Sequence, residues 1–418
     1  MRAFILSAAA LAALSLVAPA FGQDEKPLAG ASITVLMPSP QGANIASDFE
    51  AATGIHVDLQ TLSWDDIRPK LVTALIAGTA PADVVEFDWS WTGQFSAADW
   101  FLPLNDVIDA DTVADIVGSS IFTVDGKLLA IPYTNDFRVM LANRKHFEEA
   151  GITEMPATLD QLVADARQIK EAGVVDYPIG LPLSATEGAS TSWYLLTKAF
   201  GGELFDAEFN PLFTAPDSSG YKALAFEIQL LKDGLVDPAS TGLRDSQIND
   251  SMFAQGQTSI MISGEPGRLG QMNDPEQSSV AGEVEAILVA TASGETRSFG
   301  LLEGLAIPRA SQNQEAAIEF IKWFTSSQNQ LDNYKNGVLP TRTSTLAELN
   351  DAGELLSGDV LVEQSTVVEP LFSQGTPTWY PQFSSAVNTA INSAAKDQIT
   401  IDQAVQSIAD ATAQAMAQ

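Results

Sequence analysis

The stretch SITVLMPSPQGANIASDFEAATGIHVDLQTLSWDDIRPKLVTALIAGTAPADVVEFDWSW, residues 32–91, decides the fold. Ser32 to Met37 is an apolar run of strand length, and it breaks at Pro38-Ser39-Pro40-Gln41-Gly42. Ile45, Phe49 and Ala52 then recur at helical spacing up to Gly54, and His56 to Leu62 alternates as a second strand. Ser63 with Asp66 reads as a capping box for a helix carrying Ile67, Leu71 and Leu75, which stops at Gly78 and tolerates Pro69 in its first turn. A third strand, Asp83 to Phe87, leads into Asp88-Trp89-Ser90-Trp91. Strands and helices alternating this closely predict an α/β fold with a parallel, doubly wound sheet. Such sheets bind ligands beyond the carboxyl ends of their strands, so Gln41, Trp64, Asp88, Trp89 and Trp91 are candidate contacts.

Further along, Thr158 and Gln161 frame a capping box before Leu159, Leu162, Val163, Ala166 and Ile169, and Tyr221, Leu224, Ile228 and Leu231 line a helix ended by Gly234. A short helix is expected over Ser246 to Gln255, a strand over Ser259 to Ile262, and amphipathic helices over Glu315 to Thr325 and Thr400 to Ala417. No low-complexity linker or internal repeat is visible. The length exceeds what one hydrophobic core usually serves, which predicts two domains joined by ordered crossings.

Met1-Arg2, the apolar run from Ala3 to Val17 and Ala20-Phe21-Gly22 follow the three-part pattern of a cleaved signal peptide over residues 1–22. The expectation is export to the periplasm as a freely soluble, monomeric protein. The absence of cysteine excludes disulfides, thiolate metal sites, cysteine nucleophiles and lipid-modified cysteine anchors. A net charge of −32, from 53 acidic against 21 basic residues, repels phosphate backbones and anionic lipid, so neither nucleic acid nor a membrane surface is an expected partner.

Several segments together are similar to the extracellular solute-binding protein family 1, the maltose-binding-protein-like sugar-binding components of ABC transporters. They are the opening stretch to Trp64, KLVTALIAGTAPADVVEFDWSW, DGKLLAIPYTNDFRVMLANRKHFEEAGI, MFAQGQTSIMISG, GLAIPRASQNQEAAIEFIKWFTS and NGVLPTRTSTL. The resemblance implies a two-lobed periplasmic binding protein with the ligand cleft between the lobes. One lobe would combine residues 24–134 and 284–335, the other residues 135–283 and 336–418. It also implies delivery of a carbohydrate or polyol to the transmembrane permease subunits of an ABC importer.

Sugars offer hydroxyls to carboxylates and amides, and flat C–H faces to aromatic rings. By resemblance, Asp136 in PYTND occupies a ligand-facing position, with a hinge hydrogen bond as the alternative role, and Arg138 lies on the same side of an extended strand, where it could pair with Asp136 or grip an anionic substituent. Trp193 lies in STSWYLLTKAFGG, a helix resembling one whose start contributes to the second lobe's side of the cleft, and Trp379 with Tyr380 stands where relatives carry a stacking aromatic; for Trp193 core packing is an equal alternative. The chain departs from the family after MISG, where many relatives have a tryptophan and this sequence has Glu265-Pro266-Gly267-Arg268. That change makes Glu265 and Arg268 candidates and a more polar, smaller or charged ligand credible. Glu303, where small residues are common, is a further candidate.

His56 and His146 are isolated and read as surface or capping residues, and Arg342 in LPTRT reads as structural. No nucleophile elbow, P-loop or dinucleotide fingerprint is present, so no catalytic residue, metal or cofactor is expected. With this many acids, a carboxylate pair is no sign of a glycosidase by itself. The alternatives are an exported glycan hydrolase or lyase, a binding protein for a charged metabolite such as a sugar phosphate, and one that feeds a sensor kinase.

Overall fold

Five strands build the first sheet: β1 (Ser32–Met37), β2 (His56–Thr61), β3 (Val84–Asp88), β4 (Ile131–Pro132) and β9 (Glu303–Ala306), in the order β2-β1-β3-β9-β4. The second sheet holds β5 (Val139–Asn143), β6 (Ile179–Gly180), β7 (Ile260–Gly264) and β8 (Val284–Ile287), in the order β8-β5-β7-β6. The computed structural model describes residues 26–38, 44–62, 64–335 and 338–417, without the side chains of residues 64, 65, 249 and 250. The leader, the loop holding Gln41 and the capping residue Ser63 lie outside the described residues.

The first sheet begins as expected, with β1 parallel to both β2 and β3. Every residue of β3 is buried, as in a sheet covered by helices on both faces. The sheet is mixed and not wholly parallel, because β9 returns from the other lobe and pairs antiparallel with β3 and with β4. Gly304 permits that insertion: a Cβ there would lie 3.0 Å from the Ala130 Cβ.

The helices α1 (Ile45–Thr53) and α2 (Trp64–Ile76) follow β1 and β2. On the second lobe lie α3 (Leu159–Glu171), α4 (Glu187–Ala199) and α5 (Ser219–Lys232). Then α6 (Gln314–Phe324) returns to the first lobe, where Phe320 packs edge-on against Phe49 with ring centres 5.1 Å apart. Helices α7 (Tyr380–Ala395) and α8 (Ile401–Met416) close the chain against α4 and α5. The Thr158–Gln161 capping box forms as read, and Gly234 follows α5 with φ +67°. The short helix expected near Ser246 is a π-helical stretch over Gln247–Met252.

Two chain crossings run side by side between the sheets. Tyr133 and Arg138 of the outgoing segment donate their amides to Glu303 and Phe299 of the returning one, at 2.9 and 3.1 Å. Between these, Leu301 donates to the Asp136 carbonyl at 2.9 Å. A third crossing is tied in where Asn135 Nδ2 donates to the Pro340 carbonyl at 2.6 Å. The pairing of β8 with β5 puts residues 284–287 in the second sheet, so the returning segment changes lobe after them and not at residue 284. Arg342 is structural, its guanidinium joining Asp115 at 3.0 Å and the Thr325 carbonyl at 2.7 Å.

Candidate functional site

The crossings and the carboxyl ends of β3 and β7 converge on one polar cleft. Asp88 ends β3, accepts the Ser90 amide at 2.8 Å and the Ser90 hydroxyl, and so shapes the turn through Trp89 and Trp91. Antiparallel register sets Glu303 of β9 directly across from Asp88. Beneath them the Tyr133 hydroxyl lies 2.7 Å from Glu86 Oε2 and 3.0 Å from Glu303 Oε2. Burial pushes Asp88 up to about 7 against the opposing Ser90 bonds. It also raises Glu86, helped by the charge of Glu303, and raises Glu303 despite the Tyr133 hydrogen bond.

From the outgoing crossing, Arg138 is buried and its two terminal nitrogens divide between carboxylates. Nη2 lies 3.4 Å from Asp136 Oδ2 and Nη1 lies 3.0 Å from Glu265 Oε1. Arg268 Nε closes the chain of charges on Glu265 Oε2 at 3.0 Å. Burial raises the Asp136 pKa although Arg138 opposes it; for Glu265 the guanidiniums of Arg138 and Arg268 outweigh burial and lower it.

This charged bridge separates two cavities. One, of about 420 Å³, is bounded by Asn135, Asp136, Glu265, Arg268, Gln271 and Glu303. The other, of about 460 Å³, is bounded by Thr186, Arg244, Asp245, Met261, Glu265 and Arg268. Asp245 also holds the start of α4, accepting the Gly188 amide at 2.9 Å and the Thr186 hydroxyl at 2.6 Å. A hollow of about 720 Å³ lies elsewhere, between Lys26, Leu28, Ile55, Val107, Ile318 and Lys322, all on first-lobe segments. Lobe closure cannot enclose a solute there.

Of the residues singled out in the sequence, Asp136, Glu265, Arg268 and Glu303 line these cavities and Arg138 braces them, while Asp88 lies beside Glu303. The aromatic residues are placed differently. Trp193 is core: it is fully buried, donates Nε1 to the Gly220 carbonyl at 2.8 Å and packs edge-on against Phe213. Trp379 joins Phe205, Phe209 and Phe383, and Trp91 lies against Phe95. Trp89 meets Tyr380 across the lobes, ring centres 4.7 Å apart, and the Tyr380 hydroxyl is bound to Glu187. None of these rings borders either cavity. Only the backbone of Trp64, at the start of α2, is described.

His146 is a buried residue whose Nδ1 is 2.9 Å from Ser259 Oγ, neither surface nor cap, whereas His56 is exposed beside Glu50. Asn135, Tyr133, Thr186, Arg244, Asp245 and Gln271 escaped the sequence reading. Asn135 and Tyr133 stand in the PYTND motif beside Asp136, a usable signal, while Asp245 and Gln271 carry none in their neighbours.

Comparison with known proteins accords with this architecture. A binding protein of Brucella abortus is 27% identical over 283 residues, 66% of this chain and 66% of that protein. The diacetylchitobiose-binding protein DasA of Streptomyces coelicolor is 28% identical over 341 residues, 77% of this chain and 76% of its own length. An ABC transporter solute-binding protein of Agrobacterium radiobacter, solved with ribitol, superposes with a TM-score of 0.77 at 21% identity, covering 92% of this chain and 98% of that one. At that identity the likeness speaks for the two-lobed fold. The family described as bacterial extracellular solute-binding protein matches residues 37–331, more than half of the sequence, and the chain belongs to that family.

Proposed function

We propose that this protein captures a small polyhydroxylated solute, a mono- or oligosaccharide or a polyol, and delivers it unaltered to the membrane permease of an ABC importer. The observation that carries the reading is the polar cavity between the lobes, where Asn135, Asp136, Glu265, Arg268 and Glu303 meet at the chain crossings. Carboxylates, an amide and a guanidinium are the groups that pair with sugar hydroxyls. Bending at the crossings would close the lobes over the guest, driven by contacts available only in the closed form. The relatives known to bind diacetylchitobiose and ribitol support the same ligand class. The signal-like residues 1–22 support action as an exported protein in the periplasm.

Calorimetry against a panel of sugars and polyols tests this reading. Micromolar affinity, about −8 kcal/mol, is expected for at least one member, together with compaction in solution scattering. A panel in which no sugar or polyol binds sinks it. Product release on incubation with glycosides would favour the hydrolase or lyase alternative.

A further inference from the structure

We infer that the cavity bounded by Asn135, Asp136 and Glu303 receives the protonated amine of an amino-sugar or amino-polyol. The inference rests on the carbohydrate reading above and narrows it to a cationic member of that class.

What distinguishes this cavity is the set of hydrogen-bonding valences left over in its wall. Asn135 is 6% exposed, and its Nδ2 is spent on the Pro340 carbonyl at 2.6 Å, while its Oδ1 is buried with no hydrogen-bond partner. Asp136 Oδ1 is likewise buried and unpartnered. Both residues border the same cavity as Glu303. The leftover groups of these two cavity-bordering residues are therefore acceptors, and the leftover donor beside them, Arg138 Nε, is on a residue that does not border the cavity.

The terminal nitrogens of Arg138 and the guanidinium of Arg268 are engaged. Arg138 bridges Asp136 and Glu265, and Arg268 bridges Glu265 and Gln271. Asp136, Glu265 and Glu303 thus stand against Arg138 and Arg268, one acid in excess when all are ionised. A sugar hydroxyl both donates and accepts, whereas an ammonium has three donors and no acceptor. An ammonium matches a pocket of unpaired acceptors with surplus negative charge, and its positive charge offsets the cost of ionising buried carboxylates. A phosphate or carboxylate substituent would meet the same surplus as repulsion.

The groups facing Asp136 are Arg138 on its own segment, Glu265 and Arg268 after β7, and Glu303 on β9. The raised pKa values of Asp136 and Glu303 mean that acid neutralises the acceptors, so amine affinity falls as the pH is lowered.

The test is calorimetry of matched pairs that differ only in one group, with the amine on an alditol carbon so that it stays protonated at pH 8: 1-amino-1-deoxy-D-glucitol with D-glucitol, and equivalent pentitol and reduced-disaccharide pairs. In the pair that fits the cleft, the amine is expected to bind about tenfold more tightly at pH 8, with the preference shrinking at pH 5. Asp136→Asn and Glu303→Gln should each collapse the amine-to-hydroxyl ratio, with near-ultraviolet circular dichroism verifying the fold. Hydroxyl members that bind as tightly as their amines, or a preference that survives both substitutions, overturn this inference and leave the carbohydrate reading standing. Failure of every member of every pair overturns both.

Discussion

Tyr133 and Glu86 share a hydrogen bond of 2.7 Å beneath the cleft, and the same phenolic oxygen lies 3.0 Å from Glu303. A phenol carries one proton, so both contacts are hydrogen bonds only when one of the two carboxyl groups is itself protonated. Tyr133→Phe should leave the two acids facing each other without that mediator. A loss of about 1–3 kcal/mol in urea denaturation at pH 7 is expected.

The same cluster sets the pH response. Glu86 and Glu303 are raised above their ordinary values and Asp88 is raised to about 7. A carboxyl whose folded pKa exceeds its unfolded one binds more protons when folded, so its contribution to stability falls as pH rises from the unfolded value to the folded one. Tm should therefore decline between about pH 5 and pH 8. The decline should flatten in the Glu86→Gln, Asp88→Asn double variant; an unchanged slope would show that other groups control it.

Glu227 on α5 is fully buried, and neither of its carboxyl oxygens has a hydrogen-bond partner. Burial alone raises its pKa far above the usual carboxylate range. Glu227→Leu removes the unpaired polar group while keeping helix propensity and most of the volume. Stability should rise by about 1–2 kcal/mol at pH 8 and by less at pH 5, read from denaturation midpoints.

Gly93 holds the lobes together by having no side chain. A Cβ there would fall 1.9 Å from the carbonyl oxygen of Thr376, on the segment that leads into α7. Gly93→Ala must push that contact apart and should loosen the arrangement that also brings Trp89 onto Tyr380. Ligand affinity should weaken about tenfold, with a larger radius of gyration in scattering.

Thr158 caps α3 through a reciprocal box with Gln161, and neither residue borders the two cavities of the cleft. Thr158→Ala should cost about 1 kcal/mol without altering ligand affinity. Equal changes in stability and binding would contradict the separation of helix caps from the site.

Local chemistry made much of this legible. The apolar run at Ser32–Met37, the strand at Val84–Asp88, the heptad-like spacing of α5 and the Thr158 cap depend on neighbours within a few residues, so they are written in order along the chain. The charged pair Glu265 and Arg268 was likewise visible as adjacent text, and it does form, at 3.0 Å.

What the chain alone determined was the α/β alternation, the two-lobed family pattern and the polar character of the segments that end at the cleft. Tertiary structure decided which aromatics are core, how β9 inserts antiparallel beside β3, and that Asn135, Asp136 and Glu303 face one cavity. A tryptophan has the same composition whether it stacks on a ligand or fills a core, and Trp193 and Trp379 fill the core because Phe213 and Phe383 surround them there. Residues 136 and 303 meet only because the chain crosses between lobes and returns, a long-range pairing that no local spacing encodes.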